Sequence, residues 1–224
     1  TEDLIIDIKN TEKHLVLDEL LVPGPHMKEN ILIACLALIA FGVSPNKTAD
    51  IMSRFPGVPH RLEYFHRFTR NNKQKTQRGT EDLKNHPPKS LLFYNDSAAT
   101  VPEAVIAALD SFSKPIHLIC GGTDKNLVFT ELSYAISKTK TIYLLEGTGT
   151  ELLIQELHKS SVPFFGPFSS LNSLLLCLKN NLDNESPKKD EEIILFSPGA
   201  TSFGMFSNEF DRGNAFKKAV LEFF

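Results

Sequence analysis

The feature that most constrains this chain is a repeated alternation of short, apolar, strand-like runs with longer stretches of helical period. The runs are Ser90–Tyr94, Ile116–Cys120, Thr141–Leu145, Val162–Phe165 and Ile193–Phe196. Apolar runs of four or five residues, bounded by polar turns, read as strands buried on both faces. Between them, Thr100-Val101-Pro102-Glu103 has the spacing of a capping box, and Val101, Val105, Ala108, Leu109 and Phe112 follow on one helical stripe. Helices are expected over Thr130–Ser137 and Glu151–His158, and another carries Leu171, Leu174, Leu175 and Leu178. Asn180–Asp190 reads as a polar loop, and a last helix from about Arg212 buries Phe216, Ala219, Val220 and Phe223. This pattern predicts an α/β fold with a mostly parallel sheet covered on both faces.

Upstream the pattern differs. Leu4, Ile6 and Ile8 alternate, Lys9–Glu12 supplies a turn, and Leu15-Val16-Leu17 returns, as in a β-hairpin. Pro23-Gly24-Pro25 breaks the strand. From Met27 to Ala40, Ile31, Cys35 and Leu38 form one stripe and Leu32, Leu36 and Ile39 its neighbour, so little of this helix should face water. Ser44-Pro45 opens a short helix to about Arg54. Phe55-Pro56-Gly57-Val58-Pro59 then divides the chain into segments 1–56 and 57–224. Within the second segment, Leu62–Phe68 reads as a strand and 70–88 as a polar insertion. Its basic residues are Arg70, Lys73, Lys75, Arg78 and Lys84, and a mobile surface insertion is favoured over a phosphate or nucleic-acid arm.

Several function classes are excluded early. A net charge of −3 leaves no basic field for nucleic acid or anionic lipid. Cys35, Cys120 and Cys177 stand singly in apolar runs, without the paired spacing of zinc or redox sites, as reduced thiols do. Ile31–Ala40 is too short to cross a bilayer, and the acidic start Thr1-Glu2-Asp3 is no signal peptide. Without an initiator methionine, the start reads as a point inside a longer protein.

In parallel sheets, ligands bind at the carboxyl ends of the strands. The loop after Tyr94 reads Asn95-Asp96-Ser97-Ala98-Ala99-Thr100. Asp96 suits a metal or a ribose hydroxyl, or it simply satisfies local backbone together with Thr100. The loop after Cys120, Gly121-Gly122-Thr123-Asp124-Lys125-Asn126, combines a backbone able to approach a ligand with a point charge for a carboxylate or phosphate. After Phe196, Ser197-Pro198-Gly199-Ala200-Thr201-Ser202 offers hydroxyls and N–H groups before Phe203, or is a tight turn. Arg61 at the boundary is either a phosphate grip or a surface ion-pair partner. Gly147-Thr148-Gly149-Thr150 reads as a helix-entry turn, and no GxxxxGK[ST] phosphate loop occurs anywhere.

Taken in order, these stretches resemble the Mur ligases. The matching elements are Gly24-Pro25-His26 with Asn30, Phe55 to Glu63, Asn95 to Thr100, and Gly121 to Lys125; Ser197-Pro198, Ser202-Phe203, Phe206 and Arg212-Gly213 complete the series. The resemblance covers nearly all of the chain apart from the polar insertion. It implies that 1–56 is the tail of a central ATPase α/β domain and that 57–224 is a Rossmann-like C-terminal domain. Phosphate loop, carbamylated lysine and UDP-binding domain would lie upstream.

Within the family the match is with the branch that adds D-glutamate to UDP-N-acetylmuramoyl-L-alanine through an acyl phosphate, in the cytoplasm, with ATP and Mg²⁺. By position, Asn30, Arg61 and Asp96 are then expected around ATP, with His60 structural or nucleotide-adjacent. Thr100, Lys125, Ser202 and Phe203 are expected around D-glutamate. No metal ligand and no catalytic residue is expected within the chain, which is expected to be inactive alone and monomeric. Departures from the family pattern are Met27 for an asparagine, Ala98 for a lysine and Glu209 for an aromatic, where neighbouring Phe210 is a substitute. The alternatives are another Mur or folylpolyglutamate-type ligase, or a non-catalytic nucleotide- or amino-acid-binding module.

Overall fold

The computed structural model describes residues 4–8, 12–17, 20–70, 89–185 and 191–224. Strands β1 (Leu4–Ile8) and β2 (Glu12–Leu17) pair antiparallel as a separate two-stranded sheet. The expected turn between them and the polar insertion at 71–88 lie outside the described residues. Helices α1 (Pro25–Ala40) and α2 (Pro45–Ser53) follow. The remainder is β3 (Glu63–Arg70), β4 (Lys89–Asn95), α3 (Pro102–Leu109), β5 (Ile116–Cys120), α4 (Thr130–Ile136), β6 (Thr141–Leu145), α5 (Thr148–Lys159), β7 (Phe165–Phe168), α6 (Leu171–Asn184), β8 (Glu192–Phe196) and α7 (Glu209–Phe223).

The main sheet has the order β3-β4-β8-β5-β6-β7, with β3 antiparallel to β4 and every other neighbour parallel. The chain moves from β4 outward through β5 and β6 to β7, then returns to insert β8 between β4 and β5. Right-handed crossovers place helices on one face during the outward walk and on the other during the return. The side chains agree. Leu118, Cys120, Ile142, Leu144, Ile193 and Leu195 join α3, α4 and α5 in one core. Ile119, Tyr143, Leu145, Ile194 and Phe196 join α6 and α7 in the other. This period-2 division, with both faces covered, is why the central strands are mostly apolar, the buried His117 and Glu192 bonding each other at 2.9 Å. β7 lies at an edge, where Pro167 removes no ladder hydrogen bond from an interior strand.

Some elements depart from the sequence reading. The outermost strand begins at Phe165 rather than Val162, because the Val162 N–H still bonds the Leu157 carbonyl at 3.0 Å and closes α5. Helix α6 continues past Asn180 to Asn184, since Leu182 extends the apolar stripe and is buried. Thr100 is not a helix cap: α3 is preceded by Val101 in extended backbone and has no side-chain cap. In α1, Met27, Ile31 and Cys35 are buried, but Ile33 is 65% and Leu36 43% exposed, against the expectation of a nearly dry helix. Its covered side joins the α3–α5 core, together with Val22, and nothing among the described residues covers the opposite side.

Candidate functional site

The three loops expected to carry chemistry leave neighbouring strands and are bonded to one another through their backbones. The loop after β8 lies in the middle. On one side, Gly199 N–H donates to the Ala99 carbonyl at 2.9 Å, and Asp96 N–H to the Phe196 carbonyl at 2.7 Å. On the other, Gly121 N–H donates to the Pro198 carbonyl at 2.8 Å, and Ser197 N–H to the Ile119 carbonyl at 3.0 Å. The strand order alone makes this possible, because β8 separates β4 from β5.

Asp96 anchors the first half of the site. Its Oδ1 accepts from Leu62 N–H at 3.1 Å and its Oδ2 from the Ser197 hydroxyl at 2.7 Å. Only 4% of the residue is exposed, and burial pushes its carboxyl up to about 6 despite these bonds and the nearby Arg61 charge. The bond to Leu62 secures the turn that presents Arg61. That turn has left-handed backbone at His60 (φ 65) and Leu62 (φ 46). His60 Nδ1 meets Asn95 Nδ2 at 2.9 Å, and its N–H donates to Glu63 Oε2 at 2.9 Å. The Asn95 amide therefore makes Nδ1 the acceptor and leaves the ring proton on Nε2.

Arg61, Asp96, Ala98 and Thr100 line a cleft of about 290 Å³ together with His26 from α1. His26 Nδ1 is buried there without a hydrogen-bond partner, and desolvation, helped by the Arg61 charge, lowers the basicity of the ring. The orphaned ring nitrogen and the guanidinium offer this cleft a polar group and a positive charge beside the Asp96 carboxyl. Asn30 is one helical turn beyond His26, exposed, and does not line the cleft. Met27 is buried in the core.

The second half is a narrow slot lined by Gly121, Gly122, Thr123, Ser202, Phe203 and Arg212, among others. A Cβ at Gly122, whose φ is 150, would stand 2.5 Å from the Thr201 carbonyl oxygen, so the approach of these two loops requires glycine. Ser202 is buried and Phe203 is 63% exposed. Lys125 is exposed on the loop after β5, two residues beyond Thr123. Thr100 thus shares a cleft with Arg61 and Asp96, whereas Ser202 and Phe203 line the other recess. Phe210 packs edge-on against His60 at 5.5 Å, on the side of the Arg61 turn, and does not line the slot.

Gly147–Thr150 is the helix entry expected from its residues. The N–H groups of Gly149 and Thr150 are taken by the Gly122 carbonyl at 3.0 and 3.2 Å, and the Thr150 hydroxyl accepts from Gly122 N–H at 2.9 Å. This helix end holds the loop after β5 in place and is not open to an anion. Two further residues escaped the sequence reading as site components. His26 carried no signal beyond its place in a matched stretch. Arg212 did: it precedes Phe216 by one turn on an otherwise apolar stripe, which marks a cation pointing inward.

No family model matches the chain. It is 41% identical over 174 residues to the UDP-N-acetylmuramoylalanine–D-glutamate ligase of Treponema pallidum, covering 78% of this chain and 28% of that protein. The ligase of the same name from a Roseiflexus species is 36% identical over 209 residues, covering 92% and 39%. That of Borreliella afzelii is 35% identical over 192 residues, covering 84% and 37%. The chain belongs to the Mur ligase family. It spans between 28% and 39% of the length of these three relatives.

Solved structures share its fold. The UDP-N-acetylmuramate–alanine ligase of Thermotoga maritima superposes with a TM-score of 0.56 at 14% identity, over 91% of this chain and 39% of that one. The folylpolyglutamate synthase of Mycobacterium tuberculosis gives 0.54 at 11% identity, over 92% and 44%. The α/β, Rossmann-like reading of the sequence is therefore correct for the six-stranded sheet. Among the described residues no helix is long and apolar enough to cross a membrane.

Proposed function

We propose that this chain is the amino-acid-presenting part of a ligase that joins D-glutamate to UDP-N-acetylmuramoyl-L-alanine with consumption of ATP, in the cytoplasm and as a monomer. In this reading ATP phosphorylates the substrate carboxylate, and the amine of D-glutamate attacks the acyl phosphate. The tetrahedral adduct then collapses to amide and phosphate. Arg61 offsets phosphate charge beside Asp96 and His26, with Asn30 near the nucleotide. Lys125 and Thr100 grip carboxylates of D-glutamate together with Ser202 and the Phe203 backbone. The work of the chain is orientation: it brings a neutral amine to attacking distance and excludes water from the reactive acyl phosphate.

The observation that carries this reading is the loop after β8, bonded on both flanks between the Arg61 cleft and the Lys125 loop. A ligand held by Ser202 and Phe203 would sit beside whatever fills the cleft. The choice of D-glutamate is supported by the names of relatives 35–41% identical to this chain. The Mg²⁺ that the resemblance implies would accompany ATP; among the described residues no group of three or more His, Cys, Asp or Glu could hold a metal ion.

The test uses the full-length protein that contains this sequence, supplied with ATP, Mg²⁺ and UDP-N-acetylmuramoyl-L-alanine. D-glutamate should support phosphate release and product formation, whereas L-glutamate, L-lysine and D-alanyl-D-alanine should not. Turnover with L-lysine equal to that with D-glutamate would overturn the reading.

A further inference from the structure

Arg212 is a cation where the helix pattern calls for an apolar residue. Only 1% of it is exposed, and it is the largest of the fully buried side chains. Its Nε donates to the Ser97 hydroxyl at 3.0 Å, its Nη2 to the Ser97 carbonyl at 2.9 Å and its Nη1 to the Ala200 carbonyl at 3.0 Å. The Ser97 hydroxyl in turn donates to the Glu209 backbone carbonyl at 2.7 Å. No carboxylate among the described residues forms an ion pair with the guanidinium. Burial lowers its pKa to about 10, with the Glu209 charge opposing, so it remains charged at neutral pH. A buried cation without a paired anion is costly, and core packing alone would be served as well by leucine or methionine.

What the guanidinium supplies instead is geometry. Ser97 belongs to the loop after β4 and Ala200 to the loop after β8, and Nη1 also lies 3.4 Å from where a Cβ of Gly122 would stand, on the loop after β5. A single planar fork thus bonds two of the loops and lies beside the third, which an ammonium on a flexible stem cannot reproduce. We infer that Arg212 is a positioning residue that sets the distance between the Arg61–Asp96 cleft and the Ser202–Phe203 slot. Apart from Arg212 itself, each recess keeps its lining if the fork is lost, but the two no longer hold their ligands in register. This rests on the proposed function in taking the Arg61–Asp96 cleft for the nucleotide and the Ser202–Phe203 slot for the amino acid, which Thr100 reaches from the cleft.

The test combines Arg212→Lys, which keeps the charge, and Arg212→Ala, which opens a void, in the full-length protein. A misplacement of about 1 Å costs on the order of 100-fold in rate. Arg212→Lys should therefore lower kcat about 10- to 100-fold per folded molecule, while the KM values for ATP and D-glutamate each move less than about 3-fold. Added guanidinium ion should restore part of the lost kcat to Arg212→Ala, and urea at the same concentration should not. Wild-type kcat in Arg212→Lys would overturn the inference, as would a loss that follows only the folded fraction. If Arg212→Ala does not fold, the Lys variant decides alone. Amide shifts of Ser97, Thr123 and Ala200 in the 224-residue chain supply an arm independent of substrate. They should move in Arg212→Lys, and unchanged shifts would overturn the clamp. A wild-type enzyme that ignores D-glutamate while these shifts move would refute the proposed function and leave the clamp standing.

Discussion

Thr123 and Thr201 exchange both of their backbone hydrogen bonds, each at 3.0 Å, and the Thr201 hydroxyl adds a third to the Thr123 carbonyl at 2.9 Å. They come from loops 78 positions apart, so the Lys125 loop and the Ser202 loop move as one body. A ligand gripped by both loops meets a preformed site and loses little affinity to ordering them.

Lys125→Ala in the full-length protein should therefore act on binding alone. Loss of a charge-assisted hydrogen bond of about 1.5–3 kcal/mol lowers kcat/KM for D-glutamate roughly ten- to a hundred-fold. Stability should stay within about 0.5 kcal/mol, because the side chain is exposed. The check is steady-state kinetics for each substrate beside a thermal melt. A raised KM for ATP with D-glutamate untouched would move Lys125 to the nucleotide.

Thr100→Val should also spare the fold, since Thr100 caps no helix. A loss of much more than about 0.5 kcal/mol in denaturant titration would show that its hydroxyl has a structural partner after all. Its kinetic effect on D-glutamate should be weaker than that of Lys125→Ala, because a neutral hydroxyl contributes less than a charged group.

Asp96 should leave a signature in the pH dependence of stability. Its carboxyl titrates at about 6 in the folded chain against 3.8 for an unperturbed aspartate, so the folded state binds this proton more tightly. Stability from this group is highest below about pH 4, falls as pH rises to about 6, and is then constant, a total of about 3 kcal/mol. Asp96→Asn keeps an acceptor for Leu62 N–H and removes the titration. The variant should gain stability relative to the parent as pH rises from about 4 to about 7, as read by urea titration at each pH. A parallel offset between the two curves would show that Asp96 ionises normally.

Gly213 sets helix propensity against packing. In the interior of a helix, alanine is favoured over glycine by about 1 kcal/mol. Here a Cβ would stand 2.1 Å from His60 Nδ1 and 3.0 Å from the Ser97 Cβ. His60 is buried and hydrogen-bonded to Asn95, so it has little room to withdraw. Gly213→Ala should destabilise the chain by about 1–3 kcal/mol. A variant that melts higher than the parent would mean that propensity wins and that the His60 turn is soft.

The 224-residue chain by itself should release no ADP from ATP in the presence of UDP-N-acetylmuramoyl-L-alanine. It contains no GxxxxGK[ST] loop to cradle the β- and γ-phosphates. Phosphate release above a heat-treated control would defeat this expectation.

Much of the architecture was legible because burial on both faces leaves a simple trace. β5, β6 and β8 are apolar apart from His117, Thr141 and Glu192, and the loops that follow such strands are where ligands bind in parallel sheets. Boundaries were less legible where one element borrows from another. Val162 still belongs to the end of α5, and Leu182 prolongs α6 through a polar stretch that reads as a loop. The exposed side of α1 was misread for a related reason. Ile33 and Leu36 carry the same apolar signal as Ile31 and Cys35, and periodicity cannot say which stripe has a neighbour to cover it.

The residues alone determined the alternating α/β plan, the three loops at the carboxyl ends of the strands and the ordered motifs of a Mur ligase. Only the tertiary structure decided which loops are neighbours. The insertion of β8 between β4 and β5 brings Ser97 and Ala200 together on Arg212 beside Gly122, and it parts Thr100 from Ser202 into separate recesses. Sequence periodicity is a local property. Strand order follows from which crossover buries the most surface across the whole chain, and a guanidinium becomes worth burying only when acceptors from distant loops converge on it.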